Sequence, residues 1–192
     1  MIALRQPDAA FSFADYLAWE ETQTERHEFV GGVAHAMTGG EQAHHEVAAN
    51  AFAELLRIYG DDGRVYSQGF KVRVRLGLDD RAYYPDVFVT CQPGSPDALY
   101  NEHPCIVVEV LSDSTRRVDL GEKLESYTQL ASLANYLVID PMRAVVRVWR
   151  RSSGWQEEAF TGLDARIPVE CGAGLPSGVL YSSALYRHVF GQ

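Results

Sequence analysis

Three residues of this sequence have the types and spacing to do chemistry together. Glu109 interrupts the apolar run Cys105-Ile-Val-Val-Glu-Val-Leu111. A carboxylate inside such a run is costly to bury unless a cation, a metal ion or strong donors stand beside it. The plain alternative is a strand-end residue whose carboxylate reaches water. Asp86 follows Pro85 and precedes Val87-Phe-Val-Thr90, so a second acid opens a second apolar strand. Alone, Pro-Asp is ordinary turn chemistry. On neighbouring strands the two carboxylates converge, and they repel unless they share a proton or a cation. Oxygen donors of this kind suit Mg²⁺ or Mn²⁺. Lys123 is the third residue, with Asp119 one helical turn before it and Tyr127 one turn after. Leu120, Leu124, Tyr127 and Ala131 mark the inward stripe of its helix. At ~100° per residue Lys123 lies about 60° from the centre of that stripe. It can lean toward the sheet, although periodicity alone favours a surface lysine paired with Asp119 at i, i+4.

The elements that must position these groups follow from the hydrophobic pattern. Ser12 can cap a first helix in which Phe13, Tyr16 and Leu17 recur at helical spacing. Two short apolar stretches around Gly31-Gly32 read as a β-hairpin. A longer helix, about Gln42 to Tyr59, carries the stripe Val47, Ala48, Ala51, Phe52, Leu55 and Leu56. Phe70 to Leu76 alternates as a half-buried strand. Leu78 to Ala82 reads as a hairpin loop and Pro85 to Thr90 as the next strand. The continuous apolar run from Cys105 to Leu111 predicts a central strand buried on both faces. Ser112-Asp-Ser-Thr115 can cap a helix of roughly Arg117 to Ala131. Strands follow over Asn135 to Asp140, Ala144 to Arg150 and Trp155 to Phe160. A short strand from Ile167 and a closing helix near Ser182 to Val189 complete the order. This predicts a mixed α/β fold with a central sheet flanked by helices. No linker or repeat divides the chain, so one domain over residues 1–192 is expected.

Composition narrows the class. The chain has 192 residues, 46% hydrophobic and 22% charged, which excludes disorder and collagen-like structure. A net charge of −9 argues against coating nucleic acid by bulk charge. Any such contact needs a local basic patch or a bridging metal ion. Cys91, Cys105 and Cys171 are odd in number, widely spaced and contain no CxxC, which speaks against a disulfide framework or a cysteine zinc site. Cys105 reads as a small buried hydrophobe. The N-terminal stretch lacks the basic and apolar regions of a signal peptide, and no apolar run approaches the ~20 residues that span a bilayer. No membrane partner and a cytoplasmic location are expected.

Four stretches then become recognisable as a set: Tyr83-Tyr-Pro-Asp-Val-Phe-Val, Ile106-Val-Val-Glu-Val-Leu-Ser-Asp-Ser-Thr, Asp119-Leu-Gly-Glu-Lys-Leu-Glu-Ser-Tyr and Tyr136-Leu-Val-Ile-Asp. In this order and spacing they resemble the Uma-type putative restriction endonuclease family of the PD-(D/E)XK nuclease superfamily. The resemblance runs from about Phe13 to Phe190. It implies a restriction-endonuclease-like core and metal-dependent hydrolysis of phosphodiester bonds in nucleic acid, with DNA as the first expectation. It assigns Asp86 and Glu109 as metal-binding carboxylates, the backbone carbonyl of Val110 as a further ligand, and Mg²⁺ or Mn²⁺ as the ion. Leu111 stands where the superfamily's lysine normally stands. In the Uma-type family that lysine has moved to the following helix, which here points to Lys123 as the third catalytic residue. Two nearby carboxylates would raise its pKa, so an orienting and electrostatic role suits it better than that of a general base.

Further residues are candidates for support. Glu28 matches a family position in the hairpin and either extends the acidic cluster or pairs with a strand neighbour. His44 faces inward in line with Ala48, Ala51 and Leu55, whereas His45 faces away, and no zinc ligand set is visible. Tyr127 lies one turn beyond Lys123. Lys71, Arg73 and Arg75 form a basic stripe that could contact phosphates, a solvated face being the commoner explanation. Two other readings stay open. One is a catalytically silent nucleic-acid- or protein-binding module of the same fold. The other is a small-molecule enzyme using the acid pair without metal, which needs a deep apolar pocket. Cutting both strands of a duplex with one site per chain calls for a homodimer.

Overall fold

The computed structural model describes residues 3–4, 11–37, 39–61, 63–77, 79–172, 175 and 177–190. The N-terminal stretch read above for a targeting signal lies largely outside them, as does Leu78. In chain order the elements are β1 (Ala3–Leu4), α1 (Phe13–Glu20), β2 (His27–Val30), β3 (Val33–Ala36), α2 (Gln42–Tyr59), β4 (Arg64–Ser67), β5 (Lys71–Leu76), β6 (Asp79–Tyr83), β7 (Val87–Thr90), β8 (Tyr100–Asn101) and β9 (Ile106–Val110). An interrupted helix follows: α3 (Arg116–Val118), a π-helical turn (Asp119–Lys123) and α4 (Leu124–Tyr127). Then come β10 (Asn135–Asp140), β11 (Val145–Arg150), β12 (Glu157–Thr161), β13 (Arg166–Val169), β14 (Gly178–Tyr181) and α5 (Ser182–Leu185). Among these residues no helix is long and apolar enough to cross a membrane.

Local signals account for many of these elements. Ser12 caps α1 in a reciprocal box: its hydroxyl accepts the Asp15 amide while the Asp15 carboxylate accepts the Ser12 amide. Gly31 and Gly32 turn the β2–β3 hairpin at φ +58° and +77°, a left-handed pair that only glycine adopts without strain.

The strands divide between two mixed sheets and a ribbon. One sheet runs β12-β11-β10-β9-β7-β4, the other β1-β3-β2-β6-β5-β8, and β13 pairs with β14. In the first, β9 and β10 are parallel and every other pair is antiparallel. The parallel pair needs a crossover, which the interrupted helix supplies. Val47, Ala51 and Leu55 of α2 pack against one face, on Val87, Val89, Ile106, Val108, Leu137 and Ile139. The other face, with Phe88, Val107, Leu111, Tyr136 and Val138, is covered by Tyr127, Leu130 and Leu133 and by Val72, Val74 and Tyr83 of the second sheet. Burial on both faces explains the unbroken apolar run of β9.

Five expectations are corrected. The single sheet resolves into two, because β6 pairs with β2, and β5 with β6 and β8, instead of joining β7. Asp79–Tyr83 is a strand, not a loop: Gly77 makes the turn at φ +65°, and β6's polar residues pair across strands, Asp80 with Arg73 at 2.8 Å. Lys71 is buried, with its ammonium against the rings of Tyr16 and Tyr84, because α1 covers this end of the basic stripe, whereas Arg75 at the other end is exposed as expected. Cys105 is buried as expected but forms a disulfide with Cys171, 66 residues away, with a Cα separation of 5.0 Å. The two meet only when the segment after β13 lies on the start of β9. Finally, the closing helix spans only Ser182–Leu185.

Buried phenols give the fold a pH dependence. Burial pushes Tyr59 up to about 12 and also raises Tyr16, Tyr83, Tyr84, Tyr127, Tyr136 and Tyr186. In the unfolded chain these groups ionise near pH ~10. The folded state then holds more protons than the unfolded one, so stability is full below that pH and falls as pH rises through the folded values. Melting temperature is expected to fall steeply above pH ~10, with phenolate absorbance rising together with the loss of secondary structure. Ionisation of most tyrosines before any unfolding would contradict this.

Candidate active site

Strand register brings the two acids together. β7 and β9 pair antiparallel with Val87 opposite Val108, which sets Asp86 beside Glu109. Glu109 alternates with Val107 and Leu111, so its side chain points at the interrupted helix. Asp86 is anchored at both oxygens. Oδ2 accepts the Val110 amide at 2.7 Å and Oδ1 accepts the Gln68 side-chain amide at 2.7 Å. His44, from the first turns of α2, brings Nε2 to 3.3 Å from Asp86 Oδ2. Glu109 Oε1 accepts from Lys123 Nζ and from the Tyr127 hydroxyl, both at 3.2 Å.

Lys123 reaches this place because its helix is not regular. Asp119–Lys123 forms a π-helical turn, a widened turn frequent at functional sites. Both ends of the turn face inward, Asp119 and Lys123 being 1% and 4% exposed. The Tyr136 hydroxyl donates to the Asp119 carbonyl at 2.8 Å, satisfying a group inside the disturbed turn. Lys123 Nζ lies 2.9 Å from Glu28, 3.2 Å from Glu109 and 3.3 Å from Asp119. The pairing with Asp119 expected from periodicity exists, but in the interior, and two further carboxylates share the ammonium. Glu28 extends the acidic cluster from β2 and also accepts the Tyr84 amide at 3.3 Å.

Burial and charge set the protonation states. Burial works against the charge of Lys123, but Glu109, Glu28 and Asp119 outweigh it and hold its pKa well above the ordinary lysine range. Burial, with the neighbouring carboxylates, holds Glu109 well above the usual carboxylate range despite Lys123. Asp119 is raised by burial too. Asp86 goes the other way: burial raises it, but the His44 ring, the Val110 amide and Gln68 together lower it. Burial disfavours the protonated form of His44, and its bond to the Asp86 carboxylate reverses that and raises its pKa.

Asp86, Glu109, Val110, Asp119, Lys123 and His44 line one cavity of about 210 Å³. Arg26, His45 and Gln68 also line it. Sequence reading did not single out Arg26, Gln68 or Asp119 as site residues. Gln68 lies in the β4–β5 turn, and no periodicity marks a turn residue. Among the described residues no three His, Cys, Asp or Glu side chains form a ready-made metal cage. The oxygen set nonetheless fits a hard divalent ion, which commonly uses one or two carboxylates and completes its shell with water and substrate phosphate. Three carboxylates around one lysine, with Asp86 on the neighbouring strand, also leave a surplus of buried acid groups for such an ion to offset. The basic stripe of Lys71, Arg73 and Arg75 lies outside this cavity.

The cluster predicts its own sensitivity. Lys123→Met keeps the stem and removes the charge, leaving three carboxylates to face one another. Removing one partner of a buried ion pair costs about 3–5 kcal/mol. A carboxyl whose folded pKa is raised favours the folded state increasingly as pH falls toward its unfolded value. The deficit is therefore expected to shrink between about pH 8 and about pH 5. Denaturant unfolding of both proteins across that range checks this, and a pH-independent deficit below about 1 kcal/mol would contradict it.

A family profile described as putative restriction endonuclease, Uma2, matches residues 13–177 of the chain. An uncharacterised protein of Synechocystis sp. is 32% identical over 156 residues, covering 79% of this chain and 81% of its own. A second from the same organism is 30% identical over 132 residues, covering 66% and 73%. The crystal structure of a putative nuclease of the DUF820 group from Anabaena variabilis matches with a TM-score of 0.67 at 16% identity, over 85% of this chain and 91% of that one. That last likeness is one of fold. By sequence, this chain belongs to the Uma2 family of putative restriction endonucleases.

Proposed function

We propose that the protein is a divalent-metal-dependent nuclease that hydrolyses phosphodiester bonds of nucleic acid, DNA first among them. In this reading it is one restriction-endonuclease-like domain that acts as a homodimer on duplex substrates. The observation that carries the proposal is the convergence of Asp86, Glu109 and Lys123 on one cavity, with Lys123 Nζ 3.2 Å from Glu109. Asp86, Glu109 and the Val110 carbonyl would hold Mg²⁺ or Mn²⁺. When bound, such an ion polarises the phosphoryl oxygens and lowers the pKa of a water.

The chain's own groups supply the rest. The Val110 amide and Gln68 fix the Asp86 carboxylate, and Tyr127 with Lys123 fixes that of Glu109. Lys123 keeps its proton among three carboxylates, so it offers fixed positive charge to the phosphoryl group as negative charge develops there. A deep apolar pocket, which a metal-free small-molecule enzyme would need, does not describe this cavity, since acids, lysine and imidazoles line it.

The test is cleavage of plasmid, linear duplex, single-stranded DNA and RNA with Mg²⁺ or Mn²⁺, beside a chelator control. Asp86→Asn and Lys123→Ala are each expected to lower the rate at least about 100-fold, and chelator to abolish it. Cleavage that survives both substitutions would overturn the assignment. Metal binding that Asp86→Asn removes, with no cleavage of any substrate, would favour the silent binding module.

A further inference from the structure

We infer that Arg26 forms a binding site for a phosphate of the nucleic-acid strand, at the mouth of the cavity that holds Asp86, Glu109 and Lys123. The inference rests on the nuclease reading and adds to it the group that would receive the substrate's charge. Arg26 immediately precedes β2, and its carbonyl is held by the Met37 amide at 2.9 Å. Its side chain is exposed yet lines the cavity. The guanidinium carbon stands 5.7 Å from the centre of the Tyr84 ring. Behind it is Gly69, where a Cβ would fall 2.8 Å from Nη2, so the absent side chain makes the room that the guanidinium fills. Tyr84 is in turn fixed by its hydroxyl on Glu20 at 2.9 Å and its amide on Glu28.

Charge singles this arginine out. Lys123, the other strong cation lining the cavity, is already shared by Glu28, Glu109 and Asp119, and His44 is held by Asp86. Among the described residues no carboxylate lies within ion-pair distance of Arg26. Lys71 adds a second cation 5.1 Å from the same Tyr84 ring, and no carboxylate is within ion-pair distance of it either. Glu20 stands at the hydroxyl of that tyrosine and, with Glu21, acts on the buried Lys71, so the positive charge left open at the cavity mouth is that of the exposed Arg26. A planar guanidinium with spare donors matches two oxygens of one phosphate. The strand would thus be drawn to the rim by Arg26 while its scissile phosphate lies over the carboxylates.

Binding of fluorescein-labelled duplex and single-stranded DNA, measured by anisotropy over a salt series with Ca²⁺ present, tests this without catalysis. For Arg26→Ala the slope of log affinity against log salt is expected to become shallower by about 0.9 for duplex or about 0.7 for a single strand. Arg26→Lys should keep the wild-type slope but bind more weakly at each salt concentration, since it keeps the charge and loses the fork. Arg57→Ala, which removes an exposed arginine paired with Glu54, should change neither. Arg26→Gln replaces Arg26→Ala if the alanine variant melts early. A wild-type slope and affinity in the neutral variants would overturn the role of Arg26 and leave the nuclease reading standing. Failure of the wild type to bind either DNA would overturn the phosphate site on DNA, and the nuclease reading falls with it only if RNA is not cleaved either.

Discussion

The Lys123 ammonium, buried among three carboxylates, is the interaction on which the rest of the structure depends. Its partners come from three separate parts of the fold: Glu28 from β2 in one sheet, Glu109 from β9 in the other, and Asp119 from the π-helical turn. An unpaired charge at any of these positions would be expensive in the interior. The cluster therefore ties the docking of the two sheets to the conformation of the crossover helix. The same requirement explains the irregular helix, since a widened turn directs both Asp119 and Lys123 inward.

The surroundings strengthen that cluster. Tyr83, Tyr127 and Tyr136 are fully buried around it, with ring centroids 5.3 Å apart for the first pair and 5.5 Å for the second. Low polarizability and little water make each ionic contact stronger than at a surface. The hydroxyls are not idle in this arrangement: Tyr127 bonds Glu109, Tyr136 bonds the Asp119 carbonyl, and Tyr83 bonds Ser126. The cluster is thus packed by groups that also hydrogen-bond to it, while Asp119 Oδ1 has its ion pair with Lys123 and no hydrogen bond.

On the cavity side the arrangement is asymmetric. Glu109 is bound to the lysine and stays difficult to ionise, whereas Asp86 is held ionised by an imidazole, a backbone amide and a side-chain amide. Two carboxylates one strand apart therefore differ in character because of what surrounds each, not because of their own chemistry. A divalent ion would meet one anchored carboxylate and one that shares its charge with an ammonium.

Much of this was written locally in the chain. The alternation of β5, the stripe of α2 over Gln42–Tyr59, the capping box at Ser12 and the unbroken run of β9 each follow from a repeat or a residue type acting over a few positions. Glu109 and Asp86 stood out because an acid in an apolar strand violates the local pattern, and such violations mark function. What the sequence could not decide depends on residues far apart. The regular 3.6-residue period places Lys123 on a helix flank, and only packing against Glu28 and Glu109 accounts for a π-helical turn that buries it. Lys71 looks solvated until α1 covers it, while Arg75 of the same stripe stays exposed. Cys105 reads as a lone hydrophobe until a segment 66 residues later is laid beside it. Arg26 carries no local signal at all, because its meaning lies in Tyr84 and Gly69 and in the lack, among the described residues, of a carboxylate at ion-pair distance. Short-range order is a property of neighbours along the chain, whereas the balance of buried charge is a property of neighbours in space, and only the folded structure brings those together.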